Sequence, residues 1–199
     1  MKSPCTFAII PAAGKSVRMG TPKLLLPWQG STVLGHLLQV WTESNISNVV
    51  VVIRNNDEAL ASVCRDWPVE IVRPCSDPRD MKQSIQFGLE HIEAVHHAGD
   101  QDRWLVAPAD LPSLSLETIN AVILNGLSCE SITLPRFGKR RGHPVSFPWA
   151  LARLAFQLGE NEGIDRILAT QSIFYIDFPM EAAIDDIDTP EDYRRLSPD

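Results

Sequence analysis

Short apolar runs alternate with amphipathic stretches along the chain, and that alternation predicts its architecture. Phe7, Ala8, Ile9 and Ile10 form an apolar run closed by Pro11 and Gly14, which reads as a strand. From Ser31, read as a helix N-cap, Val33, Leu34, Leu37, Leu38 and Trp41 recur on one helical face. Residues 48–53 follow as a run apolar on both faces, the pattern of a parallel strand covered by helices on both sides. Residues 69–72 read as a strand, and Met81, Ile85, Leu89, Ile92 and Val95 then repeat at helical spacing. Residues 104–107 form another buried strand, followed by a helix carrying Leu116, Ile119, Val122 and Ile123. This β-α-β-α order implies right-handed crossovers and an α/β fold, a Rossmann-like three-layer α/β/α arrangement around a mostly parallel sheet. Residues 131–134 are placed to continue it.

The pattern loosens after residue 135. Residues 138–144 make a basic loop bearing Gly and Pro, and Val145, Ser146 and Phe147 look like a strand edge. Short helices are expected over 150–158 and 163–169, and residues 173–178 alternate like a strand with one polar face. Thr189, Pro190, Glu191 and Asp192 suit a helix start: a threonine cap, proline in the first turn and acids at the positive end. No internal repeat, low-complexity tract or linker interrupts the chain, so one domain over 1–199 is expected.

Composition narrows the function. The 199 residues are 44% hydrophobic and 22% charged, which excludes disordered and collagen-like architectures. Eighteen Lys plus Arg against twenty-five Asp plus Glu leave a net charge of −7. Duplex nucleic acid and anionic membranes reward dense positive charge, so neither is expected as a partner. Cys5, Cys64, Cys75 and Cys129 form no C-x-x-C and read as buried small apolar residues of a reducing compartment. No apolar stretch approaches the length of a membrane span, and Pro11 interrupts the only segment that resembles a signal peptide. A soluble, cytoplasmic protein is expected.

In open α/β sheets, ligands sit beyond the carboxyl ends of the strands. After the first strand stands Pro11-Ala12-Ala13-Gly14-Lys15-Ser16-Val17-Arg18-Met19-Gly20-Thr21-Pro22-Lys23. Small residues admit a ligand close to the backbone, and Gly14 and Gly20 relax the allowed dihedrals. Successive N–H groups can then cradle an anion. Lys15, Arg18 and Lys23 add positive charge, so the segment reads as a polyphosphate cradle, with a solvated loop as the alternative. It is not a Walker loop, because Ile9 stands where the first glycine must be. Nor is it a G-x-G-x-x-G fingerprint, because Ser16 takes the second glycine's place.

After the Trp104 strand comes Pro108-Ala109-Asp110-Leu111-Pro112. Pro108 ends the pairing, which puts Asp110 in the crevice on the same edge as the cradle. A carboxylate facing polyphosphate suits Mg²⁺, which takes one or two carboxylates plus phosphate oxygens; a turn-capping aspartate is the alternative. One of Asp185, Asp186 and Asp188 is placed to complete the metal site, although acids beside a helix start are stabilising without any metal. Arg140, Arg141 and His143 suggest an acceptor loop or a solvated hairpin tip. His91, His96 and His97 lie near a helix end and His36 among apolar residues, with no ligand role. Ser84 has no triad context, which argues against nucleophilic hydrolysis, and the five tryptophans serve packing.

The segment from Phe7 to Trp28 resembles the opening of the MobA/MocA-like nucleotidyltransferases. In the same order follow Asp80-Met81 with Ser84-Ile85 and Gly88-Leu89, then Pro108-Ala109-Asp110-Leu111-Pro112 and Arg141-Gly142-His143-Pro144-Val145. Glu160-Asn161-Glu162-Gly163 and the stretch from Asp186 to Tyr193 complete the series. The resemblance implies the nucleotide-diphospho-sugar transferase type of fold. It also implies an enzyme that transfers a nucleotide from a nucleoside triphosphate to molybdopterin, with Mg²⁺ as cofactor. Pro11-Ala12-Ala13-Gly14 is similar to the cytidylyltransferase branch, where the guanylyltransferase branch opens Leu-Ala-Gly-Gly, and so favours CTP over GTP. Carried over by position, Pro11, Ala12, Ala13, Gly14 and Lys15 would contact the nucleotide, and Ser84 would lie on the nucleotide side. Arg18 and Lys23 would hold the triphosphate, Asp110 and Asp188 the Mg²⁺, and Arg141 and His143 the acceptor. A client molybdoenzyme is a further expected partner. The alternatives are GTP use, a phosphorylated sugar or polyol as acceptor, and a non-enzymatic molybdenum cofactor chaperone.

Overall fold

The computed structural model describes residues 3–180 and 185–197. Its elements in chain order begin with β1 (Thr6–Pro11), the small hairpin β2 (Pro27–Trp28) and β3 (Ser31–Thr32), then α1 (Val33–Glu43). β4 (Asn48–Val52), α2 (Glu58–Arg65), β5 (Glu70–Val72), α3 (Met81–His96), β6 (Arg103–Val106) and α4 (Leu116–Leu127) follow. The remainder holds β7 (Ile132–Phe137), β8 (Arg140–Arg141), β9 (Val145–Pro148), α5 (Ala152–Gln157), α6 (Asp165–Leu168), β10 (Ile173–Phe178) and α7 (Pro190–Leu196).

The sheet order is β10-β7-β9-β6-β1-β4-β5, with β8 paired to β7. β1 is central and runs parallel to β4 on one side and to β6 on the other. Alternation along each strand feeds two separate cores. Ala8, Ile10, Val49, Val51 and Leu105 pack under α1, α2 and α4, with Leu34, Trp41, Leu60 and Ile119. Phe7, Ile9, Val50, Val52 and Trp104 pack under α3 and α5, with Ile85, Leu89 and Ala155. This is the expected three-layer α/β/α arrangement, built because strands apolar on both faces must be covered twice.

Three local expectations are corrected. The N-cap of α1 is Thr32, whose hydroxyl accepts from the Gly35 N–H at 3.0 Å, while Ser31 lies in β3. Residues 145–148 are not a strand edge; β9 lies inside the sheet, antiparallel to both β6 and β7. Of the four cysteines, all free, only Cys64 is buried, and Cys75 is exposed. The start of α7 is as expected: Thr189 and Asp192 form a capping box with Pro190 in the first turn.

Candidate active site

The chain leaves β1 toward α1 on one side of the sheet, and β5 returns through α3 to β6 on the other side of β1. The carboxyl ends of β1 and β6 therefore flank the point where the strand order reverses, the place where such sheets bind ligands. Residues 12–22 leave β1 there as an ordered turn. The Ala12 N–H donates to the Val52 carbonyl at 2.8 Å, and the Met19 and Gly20 N–H groups both donate to the Ser16 carbonyl at 3.1 Å. Met19 is buried and anchors the turn in the core. Gly20 is left-handed at φ 73°, which its lack of a Cβ allows, and Ser16 also has positive φ. Gly14 is not among the positive-φ residues, so its use lies elsewhere: a Cβ there would meet nothing within 4 Å. It leaves the backbone bare to a ligand.

Ser16 also fixes the far end of the loop, its hydroxyl accepting from the Lys23 N–H at 3.2 Å. The Lys23 ammonium then lies 2.5 Å from Asp110 Oδ2 and 3.0 Å from Asp188 Oδ1. Arg18, 74% exposed, reaches the other oxygen of Asp188 at 3.0 Å. The Asp188 segment is held to the Asp110 loop by the Ile187 N–H, which donates to the Asp110 carbonyl at 3.0 Å, and Ile187 is itself fully buried. Burial alone would lower the Lys23 pKa; the hydrogen bonds and charges of Asp110 and then Asp188 outweigh it and hold it above its ordinary value. Lys23 is held in its charged form.

Asp110 Oδ1 is buried with no hydrogen-bond partner among the described residues. A buried carboxylate oxygen without a donor is costly, and a bound cation would satisfy it. Two carboxylates converging on one cationic point, with hard oxygen donors only, fit a divalent ion that draws its other ligands from phosphate and water. Among the described residues no group of three or more His, Cys, Asp or Glu is placed to enclose a metal by itself.

A cleft of about 620 Å³ opens between these loops and the start of α3. Pro11, Ala12, Ala13, Gly14, Lys15, Arg18, Lys23, Ser84, Asp110 and Asp188 all line it. Ser84 is buried and its hydroxyl donates to the Asp80 carbonyl at 3.3 Å. Asp80 caps α3, its side chain accepting from the Gln83 N–H at 2.7 Å. The wall also contains Asp77, Arg79 and Asp80, which the sequence reading did not assign. Arg79 sits in a polar stretch with no periodicity; its only signal is its place between the end of β5 and the cap of α3.

Arg141 and His143 are not in that lining. Arg141 lies on β8, its guanidinium donating to the Tyr175 hydroxyl at 3.0 Å. His143 Nδ1 is 3.4 Å from the Val106 carbonyl. Burial pushes the His143 pKa below its ordinary value, against the opposing pull of the Val106 carbonyl and of Asp110, Asp165 and Asp186, so the ring is neutral near pH 7. Arg140 pairs with Asp185 at 2.9 Å, tying the β7–β8 turn to the Asp188 segment. Asp186 is exposed, whereas Asp188 faces Lys23 and Arg18.

Comparison with known proteins bears on this geometry. Residues 8–174 match the family described as "MobA-like NTP transferase domain". Purine catabolism protein PucB of Bacillus subtilis (strain 168) is 27% identical over 97% of this chain and 96% of its own length. Nicotine blue oxidoreductase of Paenarthrobacter nicotinovorans is also 27% identical, over 97% of each. A probable molybdenum cofactor guanylyltransferase of Bacillus cereus (strain AH187) is 34% identical over 55% of this chain and 50% of its own. Among solved structures, Rv0371c of Mycobacterium tuberculosis H37Rv superposes with a TM-score of 0.83 at 24% identity, covering 99% of both chains. The same protein has been solved in complex with manganese, with a TM-score of 0.76 at 23% identity over 97% of this chain and 98% of that one. The likeness to solved structures shows the fold, of nucleotide-diphospho-sugar transferase type.

Proposed function

The chain belongs to the MobA-like NTP transferase family, and from that premise we propose that it transfers CMP from CTP to molybdenum-bound molybdopterin. The products are molybdopterin cytosine dinucleotide and pyrophosphate, and the reaction lies within a single cytoplasmic nucleotidyltransferase domain over 1–199. One observation carries the reading. Lys23, Arg18, Asp110 and Asp188 converge at the strand-order reversal beside a glycine-bearing turn. The choice of CTP rests on Pro11-Ala12-Ala13-Gly14, whose likeness is to the cytidylyl branch.

The backbone of 11–14 receives the nucleotide, with Lys15 and Ser84 beside it. Lys23 and Arg18 hold the triphosphate and stabilise charge that builds on it during transfer. Asp110 and Asp188 are the residues that would hold Mg²⁺, whose bound form neutralises phosphate charge and orients the donor. An acceptor phosphate oxygen attacks the α-phosphorus, and the bond from that phosphorus to the β-phosphate oxygen breaks as pyrophosphate departs. The acceptor phosphate is already ionised, so positioning and charge stabilisation suffice and no covalent enzyme intermediate is needed. His143, neutral beside the Val106 carbonyl, and Arg141 on β8 would serve the acceptor side. A client molybdoenzyme would receive the product.

The test is pyrophosphate release from each of the four nucleoside triphosphates in turn, with Mg²⁺ and molybdopterin present. Turnover with CTP at least about 10-fold above GTP, a difference near 1.4 kcal/mol, is expected. Preference for GTP would reassign the base. Turnover only with a sugar or polyol phosphate would reassign the acceptor, and CTP binding without turnover would make the chain a cofactor chaperone.

A further inference from the structure

We propose that Lys23 is a tethered occupant of the divalent-cation site. Its ammonium closes Asp110 and Asp188 to a free metal ion until a triphosphate draws it away. The proposal rests on the reading of these two carboxylates as the metal ligands, and it adds how the site is kept shut and what opens it.

The geometry supports it in three ways. First, the ammonium stands 2.5 Å from Asp110 Oδ2 and 3.0 Å from Asp188 Oδ1, one oxygen from each carboxylate. A divalent ion of magnesium's size binds such oxygens at about 2.0–2.1 Å. An ion on those two oxygens would therefore crowd the ammonium in a largely buried place where like-charge repulsion is poorly screened. The two cations are alternatives.

Second, formal charge is already balanced. Two carboxylates face two cations, Lys23 and Arg18. A metal ion arriving alone leaves the site strongly positive, whereas one arriving with a triphosphate brings anions for both displaced side chains. Third, the parts that must move are the ends of long side chains, while the backbone that carries Lys23 is anchored. The Lys23 N–H is fixed by the Ser16 hydroxyl, but its four-carbon stem can swing the ammonium about that point. Arg18 is largely exposed. When the ammonium leaves, Asp110 offers a second oxygen, Oδ1, which has no partner among the described residues while Lys23 is in place. Metal and triphosphate should therefore bind with positive coupling, each weak alone and each strengthened by the other.

The experiment measures Mn²⁺ binding without nucleotide, by loss of the free-ion electron paramagnetic resonance signal, on the full chain. Wild type, Lys23→Met and Lys23→Met combined with Asp110→Asn are compared at neutral pH after circular dichroism confirms the fold. Lys23→Gln carries the same expectation, should the Met variant misfold. Removing the ammonium is expected to tighten Mn²⁺ binding at least about tenfold, a coupling of ordinary size for linked sites. Adding Asp110→Asn is expected to erase that gain. Equal affinity in wild type and the Lys23 variants would overturn the proposal, as would a gain that survives Asp110→Asn. Because the readout needs neither nucleotide nor turnover, it is separate from the proposed reaction. A protein that transfers no nucleotide yet shows the gain would keep the closed site and lose the reaction, and the converse result would do the opposite.

Discussion

Lys23 and Asp110 lie 87 positions apart in the chain, yet each stands just beyond the carboxyl end of a central strand. That is why residue type and position together were enough to mark them: a cation in a glycine-bearing turn, and a carboxylate after a strand ended by proline. Asp188 was one of three neighbouring acids, and it is selected only in three dimensions, by its ion pairs with Lys23 and Arg18 and by the Ile187 hydrogen bond to the Asp110 carbonyl. Arg79 was not legible, since an arginine between Asp77 and Asp80 looks like any solvated turn until α3 is placed. His143 supports a prediction at this scale. Its pKa is lowered by burial, so as pH falls below its ordinary 6.5 the unfolded chain binds a proton more readily than the folded one. Stability is therefore lost on acidification from that value down to the folded pKa. His143→Gln should show a smaller drop in Tm between pH 7 and pH 5 than wild type. An equal drop in both would show that this ring is not the cause.

Elements with strong periodicity were readable, and those whose definition depends on their neighbours were not. α1 buries the face its spacing marks out, whereas α3 buries Ile85, Leu89 and Ile92 but leaves Met81 and Val95 exposed near its ends. α2 escaped because it is only eight residues long, with its cap at Asp57 and three buried positions, too short for a distinct periodic signal. β9 carries apolar residues like any interior strand, but nothing local encodes that it runs antiparallel between β6 and β7; its partners decide. The hairpin β2–β3 holds only four residues, yet Trp28 packs on Tyr193 and the Tyr193 hydroxyl donates to the Pro27 carbonyl at 2.6 Å. It thereby docks α7, which follows Asp188. Gly88 sets how closely α3 approaches β1: a Cβ there would come within 2.7 Å of the branched methyl of buried Ile9. Overpacking of this kind costs about 1–3 kcal/mol, against roughly 1 kcal/mol gained from alanine's helix propensity. Gly88→Ala should lower stability by about 1 kcal/mol in urea titration, and a stabilised variant would contradict this account of the contact.

The whole molecule places its chemistry by topology. Two cores grip the sheet from opposite faces and leave the strand-order reversal open at one end. Away from that end, Arg103 is buried with no carboxylate partner among the described residues, its guanidinium donating to the carbonyls of Cys129, Ser131 and Ser146 and to the Ser146 hydroxyl. Burial lowers its pKa, and the four bonds join β6 to β9 and to the turn after α4. No helix among the described residues is long and apolar enough to cross a membrane. The three-layer arrangement was legible because it follows from which strands must be covered on both faces. The insertion of β9 was not, because it is settled only when the sheet closes around it. The central claim is that Asp110 and Lys23, brought together by that topology, drive metal-dependent nucleotidyl transfer. Its most direct test is pyrophosphate formation from CTP and molybdopterin with Mg²⁺, comparing wild type with a folded Asp110→Asn variant. A fall in turnover of at least about 100-fold is expected, and wild-type turnover in the variant would contradict the account.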